Sequence, residues 1–272
     1  MPDRTLDVIE VAAKSIEISD PSDRNRDQHL WGDRLVLGLG NIVAWVFPLL
    51  MVAIVTQVII RKFGHNQAWL DDAQWWLYGF AMLTAFAYAI TTESHVRVDI
   101  LHQGYSPLRK ARIEIFSLGW LLLPFMGIMV DVMMHYGWSS WVAGEGSDSA
   151  NGLHRLYLLK LSLPILFFVG VIAGWTAMVR HLSKITEVKF WKLLIGAFPF
   201  AFFVCERVFY YSSWWLVHLT QPEINERRIS REPFLQDSTL YGAILLAIVF
   251  IISYMVARRS PTTVKSSTKG KA

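Results

Sequence analysis

The 272-residue chain holds a single cysteine, Cys205, inside an apolar run. A lone thiol forms no intrachain disulfide and supplies no thiolate set for an iron–sulfur cluster or an all-cysteine zinc site. Charge is also scarce. Asp, Glu, Lys and Arg make up 18% of the residues against 53% from the apolar set, a balance no ordinary soluble domain shows. Glycine-rich phosphate loops, nucleophile motifs and HxxxH or ExxH ligand pairs are missing. The sequence therefore offers no catalytic, metal-binding or cofactor motif. The first 30 residues mix both charge signs without a short apolar core and a small-residue cleavage site, so no removable signal peptide is expected.

What the chain has is apolar residues in blocks of about 20, the length at which a helix crosses roughly 30 Å of hydrocarbon. The blocks fall at about residues 35–60, 72–92, 107–136, 156–179, 193–219 and 240–257. This pattern predicts an all-α, polytopic membrane helix bundle. A polar tail (1–30) leads into four spans (31–182), a C-terminal extension with two further membrane segments follows (190–257), and a disordered basic tail closes the chain (258–272). Ser106 and Pro107 supply an N-cap and a first-turn proline for the third helix. Pro48, Pro124, Pro164 and Pro199 each fall in a different apolar block and predict kinks.

The formal charge of +4 is not a nucleic-acid footprint, because the basic residues sit at the ends of the apolar blocks. The segment 193–219, which contains Glu206 and Arg207, reads either as a fifth span or as a re-entrant helix. If it spans, one side of the bilayer collects 18 of the 26 Lys and Arg; if it does not, the two sides divide evenly. The asymmetry favours six spans with both termini cytoplasmic.

Three constellations stand out. In TTESHVRVDIL (91–101), helix continuation is favoured over a lone strand, whose backbone would lie unpaired at the membrane edge. On a helix His95 faces Asp99 and Glu93 faces Arg97 at i,i+4 spacing, which physics alone reads as a charged interfacial collar. Asp131 and Lys160 lie near matching ends of consecutive helices. Because an unpaired charge inside the boundary is expensive, an ion pair between them is predicted, as a clamp on the hairpin or as part of a proton or ion path. Gly170 and Gly174 form GxxxG, and Ala81, Ala85 and Ala89 recur every fourth residue, so both stripes are candidate helix-contact surfaces. No helix carries a histidine at its centre, which argues against a haem-binding anchor.

The run RKFGHNQAWLDDAQWWLYGFAMLTAFAYAITTESHVRVDIL (61–101), with Arg61, the acidic pair Asp71 and Asp72, and then His95, Val96, Val98 and Asp99, resembles the small integral-membrane (DctQ-type) subunit of TRAP, or tripartite ATP-independent periplasmic, transporters. The resemblance extends over about residues 35–180, with HVxVD as its most specific element. It implies a small permease subunit in a bacterial inner membrane that is not an enzyme and holds no substrate site. Its partners would be a large permease subunit that imports an organic acid on a sodium gradient and a periplasmic substrate-binding protein. It also gives His95, Arg97 and Asp99 a role in fixing the cytoplasmic end of the second helix, against the partner subunit. The acidic pair is Asp where the family more often has Glu, and residues 190–257 exceed its usual four helices. A haem- or quinone-linked anchor and a stand-alone carrier or channel are the alternative readings.

Overall fold

A computed structural model of the chain describes residues 26–94, 104–221 and 223–259. Among them every regular element is a helix. A 3-10 turn at Arg26–Gln28 precedes α1 (Trp31–Ala44) and α2 (Val46–Lys62), and α3 is Ala68–Thr92. Next come α4 (Pro107–Phe116), a π-helical segment Ser117–Leu122, and α5 (Leu123–Ala143); α6 is Tyr157–Ser183. The C-terminal part holds α7 (Phe190–Gly196), α8 (Phe198–Thr220), the short α9 (Glu226–Ile229) and α10 (Pro233–Gln236), and α11 (Ser238–Arg259).

Four stretches are long and apolar enough to cross a membrane: Trp31–Lys62, Pro107–Ala143, Tyr157–Ser183 and Ser238–Arg259. A fifth is reached if α7 and α8, bent by 101° at their junction, form one broken span. The sixth expected span is α3. At 25 residues it has the length, but its Trp, Tyr, Gln and Thr content leaves it less apolar than the others.

The prolines explain most of the irregularity. A proline ring meets the carbonyl four residues earlier and leaves it without an N–H donor. Pro48 faces Ala44 in this way, and the first span breaks at Trp45. Pro124 faces Trp120 inside the π-helical segment, where the Leu123 N–H reaches back to Leu118 O, so widening the turn accommodates the ring. Pro199 lies in the first turn of α8, just past the bend, where no helical donor is needed. Only Pro164 sits inside an unbroken helix.

Ser106 caps α4 as expected, its hydroxyl accepting from the Arg109 N–H at 3.4 Å. The expected continuation of α3 beyond Thr92 is corrected. Glu93 takes a left-handed conformation (φ 53°), its N–H reaches Ile90 O, and the Ser94 N–H reaches Ala89 O. These two bonds make a Schellman stop, with glutamate where glycine is usual. Residues His95, Arg97 and Asp99 lie outside the described residues.

The chain divides into two compact units. One takes residues up to Asp99 together with Met133–Ala177; the other takes Ile100–Val132 together with Met178 onward. In the first, α3 packs against α1 and α2. In the second, α8 runs along α11, α7 packs on α11, and the π-helical segment lies against α8. The extension and the first half of the third span therefore share one unit.

Candidate functional site

The charged and polar groups held inside the helices are built into clamps. At the start of α1, Asp33 is fully buried. Its carboxylate accepts the Leu30 N–H at 2.8 Å and the Thr176 hydroxyl of α6 at 2.7 Å, while Gly32 beside it lets α1 approach the Ile172 and Thr176 side chains. A buried carboxylate is tolerated when such donors surround it. Between α2 and α3 the buried Gln57 accepts from Gln74, which also reaches Ala53 O, each at 3.4 Å. Neither clamp was identified in the sequence, because one polar residue near the end of an apolar run looks like the membrane boundary.

The start of α3 is tied to the loop between α5 and α6. Asp71 forms a 2.6 Å ion pair with Arg61, closing the α2–α3 turn. Both partners are exposed, so the pair is worth at most about 1 kcal/mol. Asp72 instead accepts the Leu153 N–H at 3.0 Å, and Trp69 N–H donates to Asn151 O at 2.9 Å. Gly152 is required there, since a Cβ would come 2.8 Å from the Asp72 carboxylate and closer still to Ser147. Asp72 thus holds the α5–α6 loop, while Asp71 closes the α2–α3 turn.

Lys160 does not pair with Asp131, and the predicted clamp is corrected on both sides. Lys160 meets Glu145 at 2.6 Å, with the Ser140 hydroxyl donating to the same carboxylate at 2.6 Å and the Tyr136 ring 4.3 Å from the ammonium. The α5–α6 loop turns at Gly144 (φ 61°), which brings Glu145 back over the hairpin and supplies the anion. The hydrogen bond from Lys160, then that from Ser140, hold the Glu145 carboxyl below its ordinary pKa.

Asp131 belongs to a separate network in the second unit. Arg207 of α8 lies 3.6 Å from one of its oxygens, and the Tyr211 hydroxyl donates to the other. Arg207 Nε also lies 2.8 Å from the neighbouring Glu206, but the N–H is not aimed at that oxygen, so the contact is an ion pair and not a hydrogen bond. Glu206, buried, accepts the Ser238 hydroxyl of α11 at 2.8 Å. Gly242 allows this, since a Cβ there would stand 2.7 Å from Glu206 Cα. Asp131, Arg207 and Glu206 therefore join α5, α8 and α11. The signal in the sequence was the pair Glu206–Arg207 inside an apolar run, whose polar atoms need partners on neighbouring helices.

The proposed contact stripes fare differently. Gly170 and Gly174 of α6 are buried within the chain. On α3, Ala81 is fully buried, Ala89 is half-buried and Ala85 is exposed. Trp31–Lys62 carries an uncovered apolar surface, where Ile42, Trp45, Leu49, Met51 and Val52 are each more than 60% exposed. Among the described residues no group of three His, Cys, Asp or Glu gathers to hold a metal. His218 stacks on Trp214 and meets Trp215 edge-on.

Apolar helices long enough to cross a membrane, with Asp33, Lys160, Glu206 and Arg207 held by partners on neighbouring elements, define a helical membrane protein. Residues 50–187, just over half of the chain, match the family model described as tripartite ATP-independent periplasmic transporters, DctQ component, and the chain belongs to that family. It is thus a small permease subunit of a TRAP transporter. No curated protein and no solved structure matches the chain.

Proposed function

We propose that the chain is the fixed scaffold of a sodium-driven TRAP transporter importing an organic acid across a bacterial inner membrane. A large permease subunit would carry the substrate, and a periplasmic binding protein would deliver it. The observation that carries this reading is the fate of the charges. Asp33, Asp131, Lys160, Glu206 and Arg207 each hold a partner inside this chain. A carrier of an organic acid needs cationic or polar donors free to meet the substrate carboxylate at mid-membrane. A scaffold needs those groups locked.

The proposed arrangement has six spans, with α3 as the second and α7–α8 as a broken fifth, and both termini in the cytoplasm. Residues 1–30 form a cytoplasmic tail, 31–182 the family-like membrane domain, 190–257 the added segments and 258–272 a basic tail. The large subunit would dock on the uncovered face of Trp31–Lys62 and beside Ala85, with His95, Arg97 and Asp99 completing the contact at the cytoplasmic end. The loop held by Asp72 would face the binding protein.

Purification of the tagged chain in mild detergent tests this reading. A larger polytopic protein should come with it, and transport should require both. A clean single chain that transports an organic acid in liposomes would establish a stand-alone carrier and sink the scaffold reading.

A further inference from the structure

The second unit contains an apolar cavity of about 550 Å³ between α7, the start of α8, and α11. Its walls include Leu194, Phe198, Phe202, Leu246, Phe250 and Ile251. Nothing in that lining offers a hydrogen bond, so the occupant's buried part must be hydrocarbon.

The mouth has different chemistry. Trp191, one turn before Leu194 on α7, meets the wall residue Phe250 with ring centroids 6.4 Å apart and Tyr254 at 5.7 Å. Trp and Tyr beside an apolar cavity mark headgroup depth. The Lys192 ammonium stands 5.7 Å from the Trp191 ring, tethered by bonds to the Thr186 hydroxyl and to Glu187 O. On α11, Arg258 is one turn beyond Tyr254 on the same stripe, followed by Arg259, and both are exposed. Lys189 opens α7, 3.8 Å from the Glu187 carboxylate. Cations therefore outnumber the acid at the end of a groove that accepts only hydrocarbon.

We propose that this groove binds an anionic phospholipid, with an acyl chain lying between α7–α8 and α11 and the phosphate between Lys192 and Arg258. The match is of amphiphile to amphiphile: apolar walls, an aromatic collar, then positive charge, in the order a lipid presents tail, glycerol and phosphate. Basic pockets between membrane helices hold acidic headgroups by this attraction, while a zwitterionic headgroup gains little from it. The inference needs membrane residence and the α7–α11 geometry, and is independent of what the transporter carries.

Native mass spectrometry of the full-length chain, delipidated in mild detergent and reloaded with equimolar phosphatidylglycerol and phosphatidylcholine of identical acyl chains, tests it. Retention of phosphatidylglycerol should exceed that of phosphatidylcholine by roughly fivefold or more, about the effect of one added cation near a headgroup. Lys192→Gln and Arg258→Gln should each erode that preference, and Arg228→Gln, outside the rim, should leave it unchanged. Ala247→Phe, which fills the groove, should lower retention of both lipids. Because that variant can also disturb packing, the charge variants are decisive by themselves. Equal retention of the two lipids, a preference unmoved by both charge changes, or loss of the bound lipid when the large subunit co-purifies would overturn the proposal. The last outcome would hand the groove to the protein partner.

Discussion

Tyr211 donates its hydroxyl hydrogen to the Asp131 carboxylate, joining a helix of the C-terminal extension to the third span. The same carboxylate faces Arg207, which also pairs with Glu206. The two acids share one cation, so removing the cation is worse than removing either acid. Arg207→Gln leaves two carboxylates in a poorly solvated place, whereas Tyr211→Phe loses one hydrogen bond. Breaking a buried pair costs about 3–5 kcal/mol, and the partial exposure of Arg207 lowers that to roughly 2; the tyrosine change costs about 1. Thermal unfolding in detergent should rank the variants in that order. Adding Asp131→Asn to Arg207→Gln should restore part of the loss, and a double variant no better than Arg207→Gln alone would show that the pair does not couple these helices.

Two glycines set how closely the extension packs. A Cβ on Gly242 would press into the backbone of Glu206, and one on Gly119 would overlap the Gly196 carbonyl. Gly242→Ala and Gly119→Ala should each destabilise by about 1–3 kcal/mol through forced separation of the helices. Gly38 and Gly79 are helical and have open space where a Cβ would go. Gly38→Ala and Gly79→Ala should be neutral or stabilising by up to about 1 kcal/mol. Equal effects at all four positions, measured as shifts in Tm, would refute a steric role for Gly119 and Gly242.

What the sequence made legible was whatever bilayer thickness or local chemistry dictates. Apolar blocks of span length, the Ser106–Pro107 start and the break positions at Pro48, Pro124 and Pro199 are all fixed within a few residues of chain. Partner choice is not. Lys160 plainly required a carboxylate, but whether Asp131 or Glu145 met it depended on how the loop after Gly144 folds back. The stop at Glu93 escaped notice because a glutamate in the left-handed region lacks the glycine that normally announces it. Asp33 and Gln57 looked like boundary residues, and only the approach of α6 and α3 shows them to be clamps. The GxxxG spacing of Gly170 and Gly174 names no partner, because no sequence pattern says whether such a stripe meets the chain itself or another protein.

The stop at Glu93 also makes a prediction. A non-glycine residue in the left-handed conformation is strained by about 1–2 kcal/mol. Glu93→Gly should relieve part of that, offset by the greater freedom of glycine in the unfolded chain, for a net gain of up to about 1 kcal/mol in thermal stability. A loss of stability instead would mean that the glutamate side chain contributes more than its backbone costs.

The Glu145–Lys160 clamp carries a defined pH dependence. Glu145 is an acid whose folded pKa is lowered by the Lys160 hydrogen bond, then by that from Ser140. Its contribution to stability is therefore fully present above the ordinary carboxylate value of about 4.5 and is lost as pH falls through the lower folded value. Glu145→Gln should reduce stability at neutral pH, with the difference from the parent chain constant down to about pH 5 and shrinking below it. A difference that grows on acidification would contradict the clamp.

Asp72 offers the most local test of how the α5–α6 loop is held. Its carboxylate binds the Leu153 amide, and the adjacent backbone is fixed by the Trp69 N–H to Asn151 O bond and the Ser147 N–H to Leu153 O bond. Asp72→Ala removes one charge-assisted bond of about 1.5–3 kcal/mol. Since Gly152 packs against the same carboxylate, it also opens space under the loop. The Leu153 amide should then exchange with deuterium roughly ten- to a hundredfold faster, as expected for a local opening made easier by that amount. Asp71→Ala, which breaks only an exposed pair, should leave that amide almost unchanged. If the loop is the surface offered to the binding protein, Asp72→Ala should weaken transport more than Asp71→Ala while the assembled complex persists. Equal transport by the two variants, with Leu153 exchange raised only in the first, would show that the order imposed by Asp72 serves the fold alone.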